Sequence, residues 1–216
     1  MKVCEIFHSI QGEGEFSGYP TIFIRLTGCN LRCRYCDTQY AFYEGEDIDV
    51  DEIMKRIEHF KSRYVCVTGG EPLLQEETPN LIESLLKHKR GYMVLLETNG
   101  SIGLKKVIDT FDGYGGRFTI SMDIKTPSSG MEDRMLFDNI SLLRTHDQLK
   151  FVVGDENDYS YSKQVISKYK PKCKIIIQPV WGTDYRKIAE LMIEDGIDAR
   201  LSLQIHKIIW GEDRGH

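Results

Sequence analysis

Three cysteines, Cys29, Cys33 and Cys36, fall within eight residues of the segment TGCNLRCRYCDT, spaced C-x3-C-x2-C. In a reducing compartment, thiols this close on one loop are more readily metal or cluster ligands than disulfide partners. A structural zinc ion would need a fourth Cys or His and usually takes two spaced pairs; Cys4, His8 and His206 are the distant candidates. A cubane 4Fe–4S cluster on three thiolates leaves one iron open to a small chelating molecule, which accounts for a trio that lacks a fourth partner. The isolated Cys4, Cys66 and Cys173 read as packing residues.

Other polar motifs recur at regular places along the chain. Runs rich in β-branched residues at 21–26, 64–67, 92–97, 118–123, 149–153, 174–178 and 200–204 predict strands. Amphipathic stretches such as VDEIMKRIEHF, with Ile53, Ile57 and Phe60 on one face, predict helices between them. About six such repeats imply a parallel sheet, because each crossover brings the chain back to the same edge. A full eight-unit barrel takes about 250 residues, so 216 residues predict an α/β fold of the incomplete (β/α)6 type, a partial barrel with an N-terminal extension and an additional C-terminal strand, in one domain spanning 1–216.

The cysteine loop follows the first of these strands, TGGEP (68–72) the second, ETNG (97–100) the third and SMDIK (121–125) the fourth, while QP (178–179) and QIHK (204–207) close the sixth and the last. Loops at the carboxyl ends of parallel strands form one active-site face, so these motifs converge. GYGG (113–116) lacks the strand-to-helix context of a phosphate cradle and reads as a turn.

A net charge of −5 without a basic stripe argues against a nucleic-acid backbone as partner. No uncharged apolar run approaches the ~18 residues of a membrane span, and the N-terminus lacks the apolar core of a signal peptide. A cytoplasmic enzyme is the expectation.

With Tyr35 before the last cysteine and GGEP downstream, the chain resembles the radical S-adenosylmethionine (SAM) superfamily. The resemblance implies that Cys29, Cys33 and Cys36 hold a 4Fe–4S cluster, whose open iron is chelated by SAM and whose electron cleaves the sulfonium to a 5'-deoxyadenosyl radical. It also implies SAM contacts from Tyr35, Cys36, Asp37, Gly69, Gly70, Glu71 (with Pro72), Glu97, Asn99, Ser121, Asp123 and Lys150. For Glu71, a helix N-terminal carboxylate is the competing reading.

The segment IFHSIQGEGEFSGYPTIFIRLTGCNLRCRYCDTQYAF is similar to the opening of the 7-carboxy-7-deazaguanine synthase family, with further support from TGGEP, ETNG, SMDIK, QP and QIHK. That similarity implies conversion of 6-carboxy-5,6,7,8-tetrahydropterin to 7-carboxy-7-deazaguanine, with ring contraction and loss of ammonia, toward queuosine or a related deazapurine. Arg25 suits the substrate carboxylate as a planar two-pronged donor. Ile10, Gln11, Gly12, Glu13, Thr68, Gln178 and His206 are implied on the substrate, with His206 a candidate to move a proton. Thr38 is implied as a magnesium ligand. The family further implies regenerated SAM, a flavodoxin or ferredoxin as electron donor, and a homodimer. A glycyl-radical enzyme activase shares the cysteine spacing but leaves QGEG, Arg25 and CDT unexplained, and a zinc-binding module leaves the converging strand ends unexplained.

Overall fold

The structure is a computed structural model describing all residues from Met1 to His216. Its N-terminal extension is a strand, β1 (Lys2–Ile10), antiparallel to β2 (Pro20–Leu26), and the short β3 (Glu46–Asp47) pairs with the outer edge of β1. From β2 onward every pairing is parallel, through β4 (Tyr64–Gly69), β5 (Met93–Thr98), β6 (Phe118–Lys125), β7 (Gln148–Val153), β8 (Lys174–Pro179) and β9 (Arg200–Leu201). The nine strands lie in the order β3-β1-β2-β4-β5-β6-β7-β8-β9, the mixed α/β partial barrel expected from the strand pattern.

The crossovers carry α1 (Val50–Ile57), α2 (Thr78–Lys87), α3 (Lys105–Phe111), α4 (Glu156–Tyr169) and α5 (Tyr185–Asp195), and the short α6 (Ile205–Trp210) follows β9. Side chains of Asp49, Asp155 and Asp184 accept backbone N–H groups at the starts of α1, α4 and α5, satisfying donors that the first turn leaves unpaired. The crossover from β6 to β7 departs from the expected alternation. It contains only short 3-10 turns at 127–129, 132–134 and 137–142, where Pro127 and Gly130 interrupt any longer helix.

Period-2 alternation sorts each strand into two faces. Ile22, Ile24, Leu26, Val65, Val67, Val94, Leu96, Ile120, Met122, Leu149 and Phe151 face outward into a 34-residue core shared with Ile53, Ile57, Leu81, Leu85, Phe111 and Ile188 of the helices. The opposite parity lines the inside of the barrel. There Phe23, Cys66 and Leu95 form an apolar floor with Phe7 and Phe16, and Arg25, Thr68, Glu97, Asp123, Lys150 and Gln178 border a cavity above it.

The expected last strand, 200–204, is shorter than its pattern. Only Arg200 and Leu201 pair with β8, and the following residues turn toward the loop after β1. Ser202 Oγ accepts the Gly14 N–H at 3.0 Å, and Gln204 donates to Glu13 at 2.8 Å, so polar contacts replace the sheet ladder. QIHK therefore opens α6 and does not end a strand.

Ile24 is fully buried in the core. Ile24→Ala is expected to cost about 2–5 kcal/mol in urea unfolding, from lost burial and the cavity left behind.

Candidate active site

A cavity of about 490 Å³ opens at the carboxyl ends of the parallel strands. Cys29, Cys33 and Cys36 are unpaired thiols on its wall. Two N–H donors are directed at Cys29 Sγ, from the Leu31 backbone at 3.4 Å and Asn99 Nδ2 at 3.8 Å, and such donors favour a thiolate. Burial pushes the Cys29 and Cys33 thiols up, with the Lys125 ammonium opposing this at Cys33. The donor set and its setting therefore fit a cluster.

The cysteine loop has almost no regular secondary structure and is held by a side chain of its own and by neighbouring segments. Arg32 donates to the Cys29 and Leu31 carbonyls at 2.8 and 2.7 Å and lies 4.3 Å over the Phe42 ring. Beneath it, Gly70 N–H donates to the Leu26 carbonyl and Glu71 N–H to the Gly28 carbonyl, at 3.1 and 2.7 Å. A Cβ on Gly70 would overlap the Gly28 carbonyl oxygen, so this approach of two backbones requires glycine. On the other side, Lys207 of α6 reaches Asp37 at 2.5 Å.

Glu71 does not border the cavity. Its fully buried carboxylate accepts from Leu73 N–H, Thr98 Oγ1 and Asn99 N–H at 3.0, 2.9 and 2.6 Å, clamping TGGEP to ETNG. The competing reading, a carboxylate at a helical N-terminus, describes its side chain: Glu71 caps the 3-10 turn 72–74. Burial raises its carboxyl to about 7, against the pull of these donors. Ser121 is also set back from the cavity, as part of β6.

Inside the barrel the charges are interlocked. Lys150 Nζ lies 2.7 Å from Glu13 and 3.3 Å from Asp123, and Lys125 Nζ lies 2.6 Å from the other Asp123 oxygen. Burial opposes ionisation of Glu13, but Lys150 and His206 override it and hold the carboxyl far below its usual range. Gln11 donates to Glu97 at 3.1 Å. Gln178 is 2% exposed and its Oε1 has no partner, leaving a buried acceptor on a residue that borders the cavity. His206, in the first turn of α6, packs so tightly on Gly12 that a Cβ there would overlap its ring. Burial lowers the His206 pKa.

Of the residues singled out from the sequence, Ile10, Gln11, Gly12, Glu13, Arg25, Tyr35, Asp37, Thr38, Thr68, Gly69, Gly70, Glu97, Asn99, Asp123, Lys150, Gln178 and His206 border the same cavity as the cysteines. Lys125, Arg34, Trp181, Gln204, Glu212 and His216 border it too and were not anticipated. Lys125 and Gln204 lie within motifs already visible, SMDIK and QIHK, whereas nothing local marks Glu212 or His216. Trp210 stacks on His216 at 4.9 Å and does not border the cavity.

Residues 23–150, more than half of the chain, match the Radical SAM superfamily, and the chain belongs to it. Similarity extends further to relatives named 7-carboxy-7-deazaguanine synthase. That of Thermoplasma acidophilum is 39% identical over the full length of both chains. That of Methanospirillum hungatei is 46% identical over 97% of this chain and 85% of its own. The crystal structure of QueE from Escherichia coli shares the fold, with a TM-score of 0.75 over 94% of this chain and 93% of that one at 23% identity. The chain is a member of the 7-carboxy-7-deazaguanine synthase family, which supports neither a glycyl-radical activase nor a zinc-binding module.

The raised Glu71 carboxyl has a definite effect on stability. The folded chain holds this proton more tightly than the unfolded one, so the group's contribution falls as pH rises from its ordinary 4.5 to about 7. Thermal unfolding of wild type against Glu71→Gln between these limits is expected to show that slope in wild type and its absence in the variant. At pH 7 the variant is also expected to lose about 1–3 kcal/mol, because an amide NH2 must face a backbone N–H.

Proposed function

We propose that the chain converts 6-carboxy-5,6,7,8-tetrahydropterin to 7-carboxy-7-deazaguanine, by ring contraction with loss of ammonia, as a step toward queuosine or a related deazapurine. The observation that carries this reading is that three free thiols and the partly buried guanidinium of Arg25 open onto one cavity. A radical initiator and an anion-recognising group thus share one small-molecule space.

Cys29, Cys33 and Cys36 would hold the 4Fe–4S cluster, with Gly69, Gly70, Tyr35, Asp37, Asn99, Asp123 and Lys150 as the surrounding walls for SAM. When bound, cluster and SAM supply a one-electron cleavage that starts radical chemistry on the substrate. Glu71 serves this site by holding TGGEP against ETNG, with its side chain already committed to three donors.

On the substrate side, Arg25 binds the carboxylate and Gln178 Oε1 accepts from the amino or amide edge of the pterin, the partner this buried oxygen otherwise lacks. Ile10, Gln11, Gly12, Glu13 and Thr68 line the ring's place, and Glu97 borders the same cavity on the SAM side. Burial lowers the His206 pKa, which favours the neutral imidazole, and that ring can accept a proton as ammonia leaves. The only side-chain contact of the Thr38 hydroxyl is a weak one, 3.7 Å from Cys36 Sγ. It is free to ligate a magnesium ion that keeps several waters, as that ion prefers.

A flavodoxin or ferredoxin as reductant, a homodimer and a cytoplasmic setting belong to the same proposal. No helix is long and apolar enough to cross a membrane.

The test is anaerobic reconstitution of the cluster, addition of SAM, magnesium, dithionite and the carboxypterin, and mass spectrometry for 7-carboxy-7-deazaguanine. Product is expected from wild type and none from Cys29→Ala. Deoxyadenosine without deazaguanine in wild type would overturn the substrate assignment and leave the radical chemistry standing.

A further inference from the structure

Within the chain, the Arg25 guanidinium makes a single hydrogen bond, from Nε to Oε1 of Glu5 at 2.7 Å. Its two terminal nitrogens have no protein acceptor, and the residue borders the cavity. Glu5 sits opposite Arg25 in the β1–β2 register, and both side chains are 15% exposed. The two Glu5 oxygens are divided between different partners. Oε1 receives Arg25 Nε and the Tyr40 hydroxyl, the latter at 2.9 Å, whereas Oε2 faces Nε of Arg214 at 3.3 Å. Arg214 comes from the last residues of the chain and is placed by Glu44 at 2.8 Å and by the Tyr40 ring, 3.8 Å away.

This division matters because arginine and carboxylate favour a two-pronged pair. With Oε2 free, Glu5 would draw a terminal nitrogen of Arg25 as well as Nε, and the fork would be both turned from the cavity and neutralised. We infer that Arg214 is a positioning residue for substrate recognition: by occupying Oε2 of Glu5, it restricts Glu5 to one hydrogen bond with Arg25 and leaves the terminal nitrogens of Arg25 for a substrate carboxylate. The inference rests on the assignment of Arg25 to that carboxylate.

The test is steady-state kinetics of the reconstituted holoenzyme for wild type, Arg214→Leu, the double variant Arg214→Leu/Glu5→Gln, and Arg25→Met. Inhibition by 6-methyltetrahydropterin, which lacks the carboxylate, is measured alongside, and thermal unfolding establishes that each variant is folded. Arg214→Leu is expected to raise KM for the carboxypterin about fivefold, a size suited to a half-exposed ion pair. It should change kcat by less than about twofold and leave inhibition by the methylpterin unaltered. Adding Glu5→Gln should bring KM back toward wild type, because a neutral amide cannot draw Arg25 into a charged fork. A purely structural tail contact has no means of being rescued in this way. An unchanged KM in Arg214→Leu, an equal weakening of both pterins, or a double variant no better than the single one would overturn the inference. Arg25→Met separates the two levels: if it does not discriminate between the pterins, the assignment of Arg25 itself fails, and if it does while Arg214→Leu has no effect, only the role of Arg214 fails.

Discussion

The interior of this barrel depends on keeping buried charge compensated. Lys150 and Lys125 project into a largely enclosed space, where an unpaired ammonium would cost several kcal/mol. Asp123 meets both ammonium groups, and Glu13 meets Lys150 from the loop after β1. Because Gln204 binds the other Glu13 oxygen, the network joins the N-terminal loop, the middle of the sheet and the C-terminal segment. The sheet ends in two-residue strands on both sides and does not close by backbone pairing. Polar side chains, with one backbone bond from Ile205 N–H to the Gly12 carbonyl at 3.1 Å, make the connection that a complete barrel would make with strands, and the cavity lies where they do so.

A second constraint concerns the loop that carries the thiols. It has no ladder of its own, so its shape comes from Arg32 within it, the glycine backbone of TGGEP beneath it and Lys207 from α6. Contacts within the loop and from two other parts of the chain thus fix the backbone that carries the thiols. Glu71 extends this scaffold one strand further, to Thr98 and Asn99, and Asn99 in turn donates toward Cys29 Sγ. The cysteine loop, TGGEP and ETNG thus form one connected support.

Much of this was legible from local pattern. Alternation in TIFIRL or FTISMD reports two faces of a strand wherever the strand lies, and the parallel sheet and the convergence of the motifs at strand ends followed from the sequence. Two expectations about local structure did not hold. RLSLQ alternates like a strand, yet Ser202 and Gln204 bond with Gly14 and Glu13 instead of extending β9. The β6–β7 crossover, punctuated by Pro127 and Gly130, folds as 3-10 turns. Glu71 sits in the expected motif, and its carboxylate caps the turn at 72–74 as the competing reading has it, while its further donors, Thr98 and Asn99, come from a strand end that no local pattern links to it.

By itself, then, the sequence determined the cysteine spacing, the strand and helix periodicities and the strand-end positions of the polar motifs, all properties set within a few residues. Only the tertiary structure decided which charges pair, that Gly12 lies under His206, and that Arg214, 209 residues from Glu5, shares its carboxylate with Arg25. The physical reason is that side-chain partners are selected by which surfaces the fold brings within hydrogen-bond distance, and no local pattern encodes that distance. A lysine or glutamate reads the same in the sequence whether it ends up in water or against its counter-ion.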